Sequence, residues 1–360
     1  MVANGAGREP ATIAAETEIA SAPAGVPVKG AVPLGLTPKP PGLNQIYQNM
    51  ETKFGDWRDD LVRDGYVVVK GAVPKERAEA YQDEMLTYLE TFAGGLGFKR
   101  DDPSTILEKH LPVIHERGMI HGYGAGHETF CWNMRQESGV IDAFAKLYDT
   151  EDLIVSYDSI NMQWPGRPTR SRTPHGPTKT KIPRLNIFPN GENDGGIMVL
   201  PGAHLMVEEY QAVHKDEHEM WSWTKEFYGF TDVGLEWLES KGLKWTKVNA
   251  EAGDLILWDS RTPHYNIVPQ GKTPRFCIYT CYAPMSEISP EFLAIKQDAF
   301  LNSKPTSHWP NGLNVIPNGA VPVKRDGEEC PHNQWKPRAM PVLSERGYKL
   351  TGITYIQVGA

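Results

Sequence analysis

A chain of 360 residues with 40% hydrophobic and 23% charged residues has the composition of a globular protein, with room for one large domain or two small ones. A net charge of −8 and a pI near 5.8 disfavour nucleic acid and anionic membranes as partners. No apolar run approaches the roughly 18 residues of a membrane span, no basic-then-apolar leader opens the chain, and four cysteines are too sparse for a disulfide framework, so a cytoplasmic setting is expected.

Residues 1–45, rich in Ala, Gly and Pro, predict a disordered lead-in. From Phe54 the pattern sharpens. Trp57, Leu61 and Val62 have helical spacing, Asp64-Gly65 ends that helix, and Tyr66-Val67-Val68-Val69 reads as a strand. A helix from Pro74 carries Ala78, Tyr81, Met85, Leu86 and Leu89 on one side. Residues 94–125 are loop-like, with His110, His115 and His121, and 132–148 reads as a further amphipathic helix. Strands follow at 153–158, 160–164, 184–188 and 197–200, the last two separated by the turn signals Pro189-Asn190-Gly191 and Asn193-Asp194-Gly195-Gly196. Residues 205–245 form a helical insert with many aromatics, among them Trp221, Trp223, Trp237 and Trp245.

The stretch from Gly253 to Arg275 organises the rest. Leu255–Trp258, opened by Gly253-Asp254 and closed by a polar corner, reads as a buried strand with His264 just past it. Arg275 opens a second alternating run that ends at Tyr282. A His and an Arg placed on neighbouring strands would hold a metal and an anion side by side. Short strands with turns, flanked by helices, favour an α+β architecture built on an antiparallel barrel or jelly roll. The expected domain runs over 46–300, and 301–360 reads as a loop-rich C-terminal tail.

Several motifs, taken in order over roughly residues 50–290, resemble the phytanoyl-CoA dioxygenase family, its fungal members above all. They are Asp64-Gly65-Tyr66-Val67-Val68-Val69, Ser156-Tyr157-Asp158, Asn193-Asp194-Gly195-Gly196 with Pro201-Gly202-Ala203-His204, Gly253 to Asp259 with His264, and Arg275. The resemblance implies a double-stranded β-helix (jelly roll) flanked by helices, Fe(II), and 2-oxoglutarate as cosubstrate. It also implies a His-x-Asp pair and a distal His as metal ligands, with a downstream Arg on the cosubstrate's carboxylate. Carried over by position, His264 is the distal ligand and Arg275 the anchor. Two imidazoles and one carboxylate on one face of iron leave open positions for a bidentate 2-oxo acid and O₂, and an Arg fork suits the far carboxylate. The alternatives are a corner histidine bonded to backbone and a strand-edge arginine in a salt bridge.

The proximal pair departs from the family pattern. The only histidine in the expected loop is His175, in His175-Gly176-Pro177, and Pro177 stands where the carboxylate belongs. Proline offers a metal only its carbonyl. The loop from Gly166 to Leu185 is also short for the family. A second His-x-Asp, His214-Lys215-Asp216, lies in a charged helical run that reads as a solvated face. Asp194 and Asp259 fall at turn positions where Asp caps backbone. His110, His115, His121 and His127 show no metal spacing.

Three readings follow. The chain is an Fe(II)/2-oxoglutarate oxygenase with an incomplete ligand set, in the manner of halogenases that lose the same carboxylate to a small residue. Or it is a pseudoenzyme or structural subunit that pairs, as a homo- or heterodimer, with an active paralogue. Or the segment holding the Asp is missing from the chain as written. The expected substrate is a bulky apolar secondary-metabolite intermediate under an aromatic lid from the insert; aromatics that merely pack the insert, and a cupin-like binding module, are the plainer alternatives.

Overall fold

The computed structural model describes residues 51–115, 118–120, 122–165, 189–215, 229–311, 322–324, 327–332 and 335–353, and the backbone alone at 31–33, 175–176, 184–186, 228 and 356–358. Helix α1 (Trp57–Asp64) is capped by Asp56, whose side chain accepts from Arg58 N, and it ends on Gly65 in the left-handed region at φ 76°. Strand β1 (Tyr66–Val69) follows, then α2 (Lys75–Thr91), which buries Ala78, Tyr81, Met85, Tyr88 and Leu89. After the short strand β2 (Met119–Ile120), the helix expected over 132–148 is two helices, α3 (Thr129–Arg135) and α4 (Ser138–Tyr148). The break falls at Glu137, whose backbone is extended and whose carboxylate accepts from Tyr81 and from Arg77 at 2.8 and 2.6 Å, drawing it towards α2.

The strands that follow divide between two antiparallel sheets. Strand β3 (Leu153–Val155) stands apart, paired with β13 (Tyr282–Pro284). The others are β4 (Ile160–Gln163), β5 (His175–Gly176), β6 (Arg184–Asn186), β7 (Gly196–Val199), β8 (Tyr228–Gly229), β9 (Thr246–Lys247), β10 (Leu255–Trp258), β11 (His264–Ile267) and β12 (Arg275–Tyr279). One sheet has the order β1-β10-β6-β12-β4-β2 and the other β9-β7-β11-β5-β8. Going along the chain, β4, β6, β10 and β12 thus join the first sheet, while β5, β7, β8, β9 and β11 join the second.

Strands β4, β10 and β12 of the six-stranded sheet are buried on both faces, which explains the continuous apolar run of β10. Successive side chains point to opposite faces. Leu255, Leu257, Phe276 and Ile278 join the core shared with α2, α3 and α4, whereas Ile256, Trp258, Cys277 and Tyr279 pack with Ile197 and Val199 of the second sheet. Helices α5 (Val207–Val213) and α6 (Asp232–Ser240) belong to the insert and share a small cluster of Leu200, Ala203, Tyr210, Phe230 and Leu238. Helices α7 (Pro290–Leu301) and α8 (Glu345–Thr351) pack back on the main core through Ala299, Phe300 and Leu350. Among the described residues no helix is long and apolar enough to cross a membrane, and all four cysteines are free and buried.

Candidate active site

Three of the sequence motifs converge on the corner that precedes His264. The Gly65 carbonyl accepts from Asp259 N at 2.8 Å and from Thr262 Oγ1 at 3.0 Å, and Gly202 N donates to Asp64 O at 3.0 Å. A Cβ on Gly65 would stand 2.3 Å from Thr262 Oγ1 and 2.5 Å from His204 Nδ1, so backbone and side chains meet there only because residue 65 has none. His204, buried, donates through Nε2 to Val62 O at 3.0 Å. Leu200 N donates to Pro263 O at 3.0 Å, fastening the corner to the second sheet. Asp259 accepts from Arg261 N at 2.9 Å and from its guanidinium at 3.0 and 2.8 Å, the capping role expected of it. Asp194 behaves alike, accepting from Gly191 N at 2.9 Å.

His264 opens β11, and its ring lies edge-on to Trp258 at 5.5 Å. Its Nδ1 meets Thr262 O at 2.8 Å. A carbonyl only accepts, so Nδ1 carries the hydrogen and the neutral ring has its lone pair on Nε2, the tautomer a metal ligand needs. The backbone bond of a corner histidine and the orientation of a ligand are here the same contact. Directly opposite in the β11–β5 pair stands His175. The two histidines that the family pattern assigns to iron are therefore Cα partners across one antiparallel ladder. Pro177 lies outside the described residues.

His264 and Arg275 are not on neighbouring strands, contrary to expectation. His264 sits on a strand of its own in the second sheet, while Arg275 opens β12 of the first, separated from β10 by β6. Tyr279 and Ile256 both pair with Arg184, so they are level, and Trp258 lies two residues beyond at the end that carries His264. Arg275 precedes Tyr279 by four residues, ~13 Å along the strand, which puts it deep in the barrel.

Arg275 is 3% exposed. Its Nη1 donates to Gln163 Oε1 at 3.4 Å, its Nε has no hydrogen-bond partner, and no carboxylate pairs with it among the described residues. The strand-edge salt bridge is thus not what holds this residue. A buried guanidinium with one long neutral bond costs several kcal/mol unless an anion joins it. Lys247, half-buried at the same end, bonds only neutral acceptors, Asn190 Oδ1 at 2.6 Å and Gly191 O at 3.0 Å among them; burial foremost, then the charge of Arg275, pushes its amine down to about 8.

Asn161, Gln163 and Tyr279 are inward polar residues that the sequence reading passed over. Gln163 is the Cα partner of Arg275, and Asn161 Nδ2 donates to Tyr279 Oη at 3.4 Å. Gly118, at φ 84°, lays its backbone against both amides; a Cβ there would stand 2.4 Å from Gln163 Cγ. The available signal was the alternation in Ile160-Asn161-Met162-Gln163, two amides inside an apolar strand.

The second His-x-Asp is corrected in part. His214 is not on a solvated face but 6% exposed, stacked on Tyr210 at 4.4 Å and edge-on to Trp237 at 5.5 Å; Asp216 lies outside the described residues. Trp221 and Trp223 lie outside them too, whereas Trp245 packs on Tyr265 of β11 at 4.9 Å. Among the described residues no three His, Cys, Asp or Glu side chains gather as a metal set.

A sequence profile of the phytanoyl-CoA dioxygenase (PhyH) family matches residues 187–266. Ava biosynthesis cluster protein O of Aspergillus versicolor is 35% identical over 270 residues, 72% of this chain and 87% of that protein. A putative phytanoyl-CoA dioxygenase of Dictyostelium discoideum is 23% identical over 105 residues, 29% of this chain and 27% of that protein. The crystal structure of the hypothetical protein JW0805 of Escherichia coli shares the fold, with a TM-score of 0.54 at 14% identity over 85% of this chain and 84% of that one.

Proposed function

The chain belongs to the phytanoyl-CoA dioxygenase family, and on that premise we propose that it is a non-haem Fe(II)/2-oxoglutarate-dependent oxygenase that oxidises a bulky apolar secondary-metabolite intermediate by hydroxylation, desaturation or ring rearrangement. The sheet orders, with the chain crossing repeatedly between two antiparallel sheets, support reading the barrel as a double-stranded β-helix, or jelly roll. The observation that carries the proposal is Arg275, a buried guanidinium whose Nε awaits an acceptor.

In this reading Arg275 binds the far carboxylate of 2-oxoglutarate, with Gln163 fixing the plane of the fork. His264, with Nδ1 committed to Thr262, and His175 opposite it are the protein's ligands to iron. Bound iron and the 2-oxo acid supply the oxidising chemistry. The protein's part is to hold both inside an apolar barrel, with His264 towards one end and Arg275 deeper, and to exclude water there.

Anaerobic titration of the protein with Fe(II) and 2-oxoglutarate should give a visible metal-to-ligand charge-transfer band. No band at saturating iron would sink the proposal. Arg275→Ala should abolish cosubstrate binding while leaving the near-ultraviolet circular dichroism unchanged; unchanged binding would remove Arg275 from its role.

Pro177 favours a second reading, in which the chain keeps the scaffold and pairs with an active relative as a catalytically impaired subunit. Genomic DNA around the codons for 166–185 separates this from a lost segment: a His-x-Asp encoded there and removed as intron would refute the impaired-subunit reading.

A further inference from the structure

The carbonyl that orients His264 belongs to Thr262, and Thr262 is itself tightly held. It is fully buried, and each of its polar groups is committed. Its N–H donates to Asp259 O at 2.9 Å, its hydroxyl donates to Gly65 O at 3.0 Å, and its carbonyl accepts from His264 Nδ1 at 2.8 Å. Pro263 follows, and a proline restricts the residue before it to extended backbone. The carbonyl of Pro263 in turn accepts from Leu200 N at 3.0 Å. The peptide between residues 262 and 263 is thus anchored on both sides.

The side chain of Thr262 supplies the link that the backbone lacks. Threonine is stiff about χ1, so a fixed hydroxyl fixes the backbone that carries it. The fixed point is Gly65, the C-cap of α1, whose N–H donates to Leu61 O at 2.9 Å and whose carbonyl also accepts from Asp259 N at 2.8 Å. Two hydrogen bonds in series therefore join the end of α1 to the imidazole: Thr262 hydroxyl to Gly65, and His264 ring to the Thr262 carbonyl. A metal ligand works only when its ring is held within roughly 10–20° of the productive angle, and a carbonyl at a free corner would let it tilt further.

We propose that Thr262 is a positioning residue for His264: its hydroxyl locks the 262–263 peptide to α1, and the locked carbonyl keeps the ring hydrogen on Nδ1. The proposal rests on the oxygenase reading above. It gives α1, which contributes no ligand of its own in that reading, a part in supporting the iron site. It also assigns the role to the hydroxyl, so serine can fill it and valine cannot.

Thr262→Val leaves no acceptor stranded, because Gly65 O keeps its bond from Asp259 N, so the variant should fold. Near-ultraviolet circular dichroism checks this. The first readout is the His264 tautomer in the metal-free, ¹⁵N-histidine-labelled full chain, its signals being identified by their loss in His264→Gln. The parent and Thr262→Ser should show the Nδ1–H form, and Thr262→Val a raised share of Nε2–H. The second readout is Co(II) affinity, followed by visible absorption. Thr262→Val should weaken it roughly tenfold, the low end of what losing a ligand's orienting partner costs, and Thr262→Ser should restore it. If valine moves neither readout, or only one of them, the hydroxyl merely ties the corner to α1 and the proposal is overturned. A serine variant as impaired as valine overturns it too, since the methyl group would then be responsible. A parent chain that binds no Co(II) removes the iron reading itself, and the proposal falls with it.

Discussion

In the proposed iron site, residue 177 offers only a proline carbonyl where a carboxylate would join His175 and His264. Pro177→Asp should therefore tighten Fe(II) binding, by roughly 10–100-fold if it acts as strongly as the partners that orient metal ligands. Fluorescence-monitored Fe(II) titration in the presence of 2-oxoglutarate measures this, and an unchanged affinity would place the deficit elsewhere in the 166–185 loop. His127 is a residue of another kind. Burial against Trp132, Tyr157 and Phe300 pushes its imidazole down to about 3, against an ordinary value of 6.5. The unfolded chain thus takes up this proton before the folded one does. Its contribution to stability is complete above about pH 6.5 and is lost as pH falls towards 3, at a slope of up to about 1.4 kcal/mol per pH unit. His127→Gln should flatten that acid limb relative to the parent, as read from urea midpoints across the window.

Elements meet where a side chain is missing. The end of α1, the turn after β7 and the corner before β11 touch at Gly65, and the register of His264 depends on that contact. Gly65→Ala would add both left-handed strain at φ 76° and a clash with Thr262 and His204, together roughly 2–5 kcal/mol. Gly55, at φ 72° with nothing within 4 Å of its notional Cβ, controls for the strain alone, about 1–2 kcal/mol when changed to Ala. Guanidinium unfolding of both variants separates the terms. If Gly65→Ala costs no more than Gly55→Ala, the convergence at residue 65 is looser than its geometry. The two helices in place of one over 129–148 teach the same lesson at lower cost: apolar spacing ran on through Glu137, but an ion pair with Arg77 outweighed it.

Across the whole molecule, the end of the chain is tied to the two ends of α3. Arg338 pairs with Glu128 at 2.9 Å, Ser344 N donates to Gln136 Oε1 at 2.8 Å, and Leu350 of α8 is 1% exposed in the principal core. Leu350→Ala should cost roughly 2–5 kcal/mol and lower the midpoint of a single cooperative transition. A separate early transition, with the main one unmoved, would make the C-terminal segment an independent unit. The long reach of these contacts also explains why the chain after residue 301 reads as loop: its apolar residues are spaced for partners far off in sequence, not for a face of their own.

What the sequence determined by itself was local. The β-branched run at 66–69, the apolar run at 255–258 and the alternating run from Arg275 announced strands, and strands stand there. The order of short motifs pointed to the family, and through it to His175, His264 and Arg275. Which sheet each strand joins was beyond that reading, because pairing is decided by contacts such as Arg275 with Gln163, 112 residues apart. A strand's alternation says which residues share a face but not what that face meets. Only the tertiary structure sets His264 opposite His175, sends Arg275 to the deep end without a counter-charge among the described residues, turns Asn161 and Gln163 inward, and brings His308 back to Asp158. The physical reason is that burial is a property of the assembled sheets: a buried charge or amide shows its purpose only once the packing has removed water from it.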